Sequence, residues 1–357
     1  MSVEFVPEPE ARAADRQFAA LTTESNLDRK LQGNPAMAAR FERVLGRAIS
    51  AAYREEPGID AAHQFLHRAL YRVNRLSLFW YDDLRRYVNE RSPYLLNVRE
   101  RIESAWQGWE ARALDLERLR RLDVPAALRE RAQADLDPPI SDTGRYFARA
   151  MTLEGYRRLL QIGALDGLVE ASQLSRTLGG AANEVHATLT RVLVEEYGGG
   201  RLARKHSTFF AVMLRELGLS AEPEAYFDLV PWEVLASINQ SFLLSDRKRH
   251  FLRYVGGLLY FETSTPAAFR NYRAAADRLG LSERARGYWD VHIREDERHG
   301  RWMLDGVALP LAASYPADAW EIVLGYDQQK RISERAAAAL ARAARDADQV
   351  AVLRAAA

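Results

Sequence analysis

Three side chains in the last quarter of the chain, His292, Asp296 and His299, stand at positions i, i+4 and i+7. On a helix of 3.6 residues per turn these positions share one face over two turns. Two imidazoles and a carboxylate aimed the same way are donors suited to iron, zinc or manganese. The chain has only 7 His in 357 residues, so the spacing carries information. Arg294, Glu295, Glu297 and Arg298 crowd the same stretch, and on these residues alone a solvated polar helix face fits equally well.

Other donors lie upstream. Glu170 follows an apolar series that includes Leu159, Leu160, Ile162, Leu165 and Val169, and it stands four residues after Asp166. It reads as the edge of a helix face or as a buried ligand. Glu196 precedes Tyr197-Gly198-Gly199-Gly200. Three glycines inside a helix would cost about 1 kcal/mol each relative to alanine, so they read as a turn that permits close approach. His206 fronts an apolar helix and is either a satisfied core histidine or a ligand. Glu262 closes the apolar run 249–261 just before Pro266, as a helix terminus or as a buried ligand. Together these are four carboxylates and three imidazoles, the donor set of a carboxylate-rich dinuclear iron site between bundle helices. Mixed nitrogen and oxygen donors can leave open positions for dioxygen, which a closed structural zinc site would not.

The elements that must position these groups read as helices nearly throughout. A polar helix is expected over 7–32, and further helices over 35–55, 59–88 and 93–122, with Glu56-Pro57-Gly58 closing the first of these and apolar residues recurring at helical spacing in the last two. Later helices are expected over 143–178 (one or two), 181–196, from about 201, over 225–230, 234–244, 249–261 and 269–279, from Ser282 through Leu304, and over 317–345. The turn-rich stretch 135–144, with Pro138-Pro139, marks the boundary between a helical packing or dimerisation module, 1–138, and a second domain, 139–357. In the first module Phe79, Trp80, Tyr81, Trp106 and Trp109 read as core or as a dimer seam. His63 and His67 have no further donor beside them and read as surface or core.

Composition narrows the function classes. With 50 basic and 49 acidic residues the net charge is +1, so no global field points to nucleic acid or to an anionic membrane. The absence of cysteine excludes disulfides, thiolate metal sites, iron–sulfur clusters and a Cys nucleophile. Neither an export signal nor an apolar run long enough to span a bilayer is visible, and a cytoplasmic location is expected.

The motifs Glu170, Glu195-Glu196-Tyr197-Gly198-Gly199-Gly200 leading to His206, Tyr260-Phe261-Glu262-Thr263-Ser264 before Pro266, and His292-x3-Asp296-x2-His299 resemble those of the haem-oxygenase-like di-iron oxidases and oxygenases over residues 140–345. The resemblance implies an all-α, haem-oxygenase-like helical bundle preceded by the N-terminal helical module. It assigns metal ligation to Glu170, His206, Glu262, His292, Asp296 and His299. Glu196, ten residues before His206, is similar to the extra carboxylate ligand of the N-oxygenating branch. Glu195 beside it is a candidate for positioning a ligand. Some members carry Glu three residues before the His206 equivalent; here that residue is Ala203, so Glu170 and Glu196 are expected to supply the oxygen donors on that side. The cofactors implied are two Fe(II) ions with O2 as co-substrate and no haem. The partners implied are a small-molecule substrate, a second copy bound through the N-terminal helices, and an electron donor, with no nucleic acid and no membrane. The reaction implied is N-oxygenation of a small amine, guanidine or amino-acid-like metabolite. Desaturation, decarboxylation or C–C cleavage of a small acid, or metal binding without turnover, stand as alternatives.

Overall fold

The computed structural model describes residues 6–54 and 59–356, so the expected stop at Glu56-Pro57-Gly58 lies outside the described residues. All regular structure among them is helical. The chain divides into two compact units, Met1–Asp115 and Leu116–Ala357.

The first unit holds α1 (Glu8–Thr22), α2 (Leu27–Gly33), α3 (Ala39–Ala52), α4 (Asp60–Asn74) and α5 (Pro93–Ala111). The single helix expected over 7–32 is two, broken where Asn26 takes a left-handed conformation at φ 54°. The helix expected to reach Val88 stops at Asn74. Beyond it Asp82 accepts hydrogen bonds from Arg75, Arg86 and Tyr87 (3.0, 3.0 and 2.5 Å), which folds this segment back into turns. His63 and His67 are buried, against Trp109 and Trp106 respectively, so both belong to the core. The aromatic group divides: Trp106 and Trp80 are buried, whereas Phe79 and Tyr81 are exposed.

The second unit begins with α6 (Leu116–Arg120), α7 (Val124–Leu136) and α8 (Asp142–Arg145), followed by a π-helical turn at Tyr146–Ala150. Then come α9 (Leu153–Gly167), α10 (Ser172–Ser175), α11 (Glu184–Glu196), α12 (His206–Glu216), α13 (Trp232–Asp246), α14 (Phe251–Arg278), α15 (Glu283–Arg301), α16 (Leu309–Ser314) and α17 (Trp320–Ala356). The boundary expected at 138/139 therefore differs from the observed one. Helix α7 packs on α14 and α17, where Arg131 pairs with Asp327 (2.6 Å) and Asp135 accepts from Tyr326 (2.9 Å) and Lys330 (2.6 Å). Those contacts outweigh the local turn signal of Pro138-Pro139.

Helix α14 is the axis of this unit, packed along α17, α15, α13 and α7. It runs unbroken through Pro266, where the sequence suggested a stop and a new helix at 269. Proline has no N–H to donate to the carbonyl of Glu262 four residues back. At that point Gly300 of α15 comes close: a Cβ there would lie 3.1 Å from the Glu262 carbonyl oxygen. Contact between α14 and α17 is closer still. A Cβ on Gly256 would run into the Ile322 carbonyl, and one on Gly325 into the Arg253 carbonyl. On the far side of α15, Tyr156, Met213 and Trp289 form a core in which Trp289 Nε1 donates to the Tyr156 hydroxyl (2.8 Å).

Candidate metal centre

Each donor is placed by a local feature that the sequence encodes. Ser282 caps α15, its hydroxyl accepting from Ala285 N (3.2 Å). The helix then continues far enough to carry His292, Asp296 and His299 inward on one face, all buried. A π-helical segment, Trp302–Ala308, follows directly. Asn183 caps α11, accepting from His186 N (2.8 Å), and Glu196 is the last residue of that helix. Gly198, Gly199 and Gly200 then take φ of 63°, 63° and 78°, conformations that favour glycine. A Cβ on Gly198 would collide with the Arg204 backbone. The turn folds so tightly that the end of α11 meets the start of α12, and Glu196 Oε2 lies 2.8 Å from His206 Nδ1. Glu262 is buried in the middle of α14 rather than at a helix end. Glu170 is the one donor outside a helix. It sits in the turn after α9, which closes on Ala171 at φ 63°.

The structure brings all seven sequence-predicted residues together as two groups. Glu170, Glu196, His206 and His292 present atoms within 4.8 Å of one another, and so do Glu196, Glu262, Asp296 and His299. Glu196 belongs to both. Its Oε2 faces His206 and its Oε1 lies 3.4 Å from His299 Nδ1. Ala203 lies apart on the connecting turn, and the carboxylates grouped with His206 and His292 are Glu170 and Glu196.

Every imidazole has one nitrogen turned to the cluster and the other held from behind. His292 Nδ1 donates to the Tyr288 carbonyl (2.7 Å), leaving Nε2 3.2 Å from His206 Nδ1. His206 Nε2 faces Glu295 at 3.4 Å. His299 Nε2 lies 2.9 Å from Glu195 Oε2, and Arg298 also binds that carboxylate oxygen. Such acceptors fix the tautomer and the ring plane and make the inward nitrogen a better donor. Glu195 is the carboxylate that lies behind His299. Glu295 and Tyr288 escaped the sequence reading. Tyr288 also donates its hydroxyl to Glu170 Oε2 (2.5 Å). It lies one turn before His292, so extending the i, i+4 stripe backwards would have reached it.

A cation fits this set. Glu170 Oε1 and Asp296 Oδ1 are buried with no hydrogen-bond partner, and both face the cluster. Leaving such atoms unsatisfied is costly, on the order of 1–3 kcal/mol each. Four carboxylates also carry a charge that two divalent cations cancel. Without metal, protons take over that role. Burial works to lower His206 and His299, but bonds and charge from Glu196, with Glu295 beside His206 and Glu262 beside His299, hold them up at about 10 and about 11. Burial, then repulsion from Glu196, pushes Glu170 up to about 8. Burial, then Glu262 and Glu196, raise Asp296 well above the usual range. His292, buried and beside His206, is pushed down to about 4. Burial alone would raise Glu196, but its bonds to His206 and His299 keep it ionised.

Metal ligands must be deprotonated, so these raised groups set a sign. At pH 7 the metal-free cluster holds protons on His206, His299 and Glu170 that a cation must displace. Loading anaerobic Fe(II) or Zn(II) at pH 7 is expected to release about two or three protons per chain, with affinity rising between pH 7 and 10. Calorimetry in buffers of different ionisation enthalpy measures the release. Heats independent of buffer would contradict it.

A model of the iron-containing redox enzyme family matches residues 157–332, the stretch that carries all seven donors. Over that stretch, just under half of its length, the chain is similar to that family. It is also similar to a nitrosourea synthase from Streptomyces achromogenes subsp. streptozoticus, 28% identical over 172 residues. That alignment covers 48% of this chain and only 36% of the relative.

Proposed function

We propose that the second unit binds two Fe(II) ions, one in each group of donors, and uses O2 to oxygenate a nitrogen of a small amine or guanidine in natural product biosynthesis. The carrying observation is the pair of four-residue groups sharing Glu196, whose carboxylates balance two divalent cations. The relative's name supports nitrogen chemistry, since a nitrosourea contains an oxidised nitrogen.

Iron held by these residues would supply the redox chemistry that lets O2 react at a useful rate. The chain's own residues supply the rest. Glu195, Glu295 and the Tyr288 carbonyl hold the three imidazoles in place. Tyr288 steadies Glu170 through its hydroxyl. Beside the donors lies a cavity of about 320 Å³, walled partly by Phe261, Phe269 and Leu244, large enough for a small metabolite and apolar enough to limit water. One oxygen atom goes to the substrate nitrogen and the other leaves as water, so an electron donor is part of this reading.

The test is anaerobic loading with Fe(II), iron analysis, then mixing with O2 in the presence and absence of candidate amines and guanidines. Two irons per chain are expected. O2 uptake should be accelerated by one candidate class, with a product gaining oxygen mass from labelled O2. A chain that holds iron yet consumes O2 at the same slow rate with every candidate would instead be a metal-binding protein without turnover.

A further inference from the structure

The cavity beside the cluster contains one carboxylate that the metal centre does not use. Asp166 lines it, on α9, four residues before Glu170. Its side chain is exposed in that space, and it makes no hydrogen bond or ion pair with any described residue. The rest of the wall away from the donors offers neutral hydrogen-bonding groups, Gln173, Ser237, Ser241 and Gln329, among apolar side chains. Among the described residues no lysine or arginine lines the cavity.

We propose that Asp166 anchors a positively charged nitrogen of the substrate, so that this cavity selects ammonium or guanidinium compounds and rejects carboxylic acids. The inference rests on the two-metal reading, because charge accounting carries it. Two divalent cations cancel the four ligand carboxylates, which leaves Asp166 as the uncompensated charge of the cavity. A carboxylate facing this space favours a cation beside it, and the protein provides none. A substrate cation provides it. A substrate carboxylate would meet Asp166 with no basic residue to offset the repulsion. Burial pushes the Asp166 carboxyl up to about 6, still ionised at neutral pH and ready for a cation that would stabilise it further. Asp166, near the end of α9, and Glu170, in the turn that follows, both line this cavity. The anchored charge therefore sits beside the metal donors without displacing any of them.

Binding to protein loaded with redox-inert Zn(II) tests this without turnover. Butylguanidinium, pentanamide and pentanoate have similar length and differ in charge. Calorimetry on the full chain is expected to rank butylguanidinium about 10-fold or more tighter than the other two, the scale of a charged hydrogen bond. Asp166→Asn should erase that preference with zinc content unchanged, and Asp166→Glu should retain it. Equal butylguanidinium affinity in the wild type and Asp166→Asn would overturn the proposal. So would a wild type that binds pentanoate as tightly as butylguanidinium, a result independent of any variant. Either result with full zinc content refutes the anchor and leaves the metal centre standing. Failure of the wild type to take up zinc or Fe(II) refutes both.

Discussion

Glu196→Ala is expected to lower iron content from two per chain to less than one under conditions that saturate the wild type. Substrate-dependent O2 uptake should fall with it. Glu196 is the one residue present in both donor groups, 2.8 Å from His206 on one side and 3.4 Å from His299 on the other. Its loss leaves each group three donors and removes the charge that both cations would share. Changing a partner behind a ligand already costs about 10–100-fold in affinity or activity, so losing a shared ligand should cost on the order of 10³-fold or more. Glu170→Ala and Glu262→Ala each touch one group and should spare roughly one iron. Glu196→Gln keeps an oxygen donor without its charge and should fall between. If Glu196→Ala still held two irons, Glu196 would not be a ligand that the two groups share.

The second large effect concerns stability. Gly256→Ala and Gly325→Ala are each expected to destabilise the second unit by about 3 kcal/mol or more, the upper range for overpacking. For a unit of this size that lowers Tm by roughly 6–12 °C. Both clashes are with backbone carbonyls, which cannot rotate aside as a flexible side chain would. Gly163 of α9 is the control. A Cβ there would meet only the Phe210 ring at 3.7 Å, an ordinary contact, so Gly163→Ala should be neutral or stabilising by up to about 1 kcal/mol. Because Gly256 stands less than two turns before Glu262, pushing α14 off α17 also displaces that carboxylate. Iron content should fall in Gly256→Ala and stay unchanged in Gly163→Ala. Equal melting temperatures for Gly256→Ala and Gly163→Ala would show that the α14–α17 contact is not tight.

Much of the site was legible in the sequence because its geometry is local. His292, Asp296 and His299 lie within one helix, where spacing alone sets direction. Glu196 and His206 are joined by a glycine turn whose close approach three successive glycines announce. Glu170 and Glu262 were ambiguous as residues, and only the motif resemblance pointed to them. What stayed hidden depends on distant partners. Nothing near Pro266 tells that α14 would continue through it, packed against α15 and α17. The first 23 residues of the second unit read as part of the preceding module because Asp327, Tyr326 and Lys330, which tie α7 down, lie about 190 residues away. The Glu295 carboxylate looked like one more solvated charge until His206 arrived from another helix.

Asp166 and Glu170 share one short stretch of backbone, the end of α9 and the turn that closes on the left-handed Ala171. A left-handed alanine costs roughly 1 kcal/mol, so this turn holds its shape only while its surroundings favour it. A cation on Glu170 and a guest on Asp166 would pull on the same few residues. Thermodynamic reciprocity then follows: by whatever factor the guest tightens the hold on metal, metal tightens the hold on the guest. Oxygen would thus meet a fully assembled site most often when there is something present to oxidise.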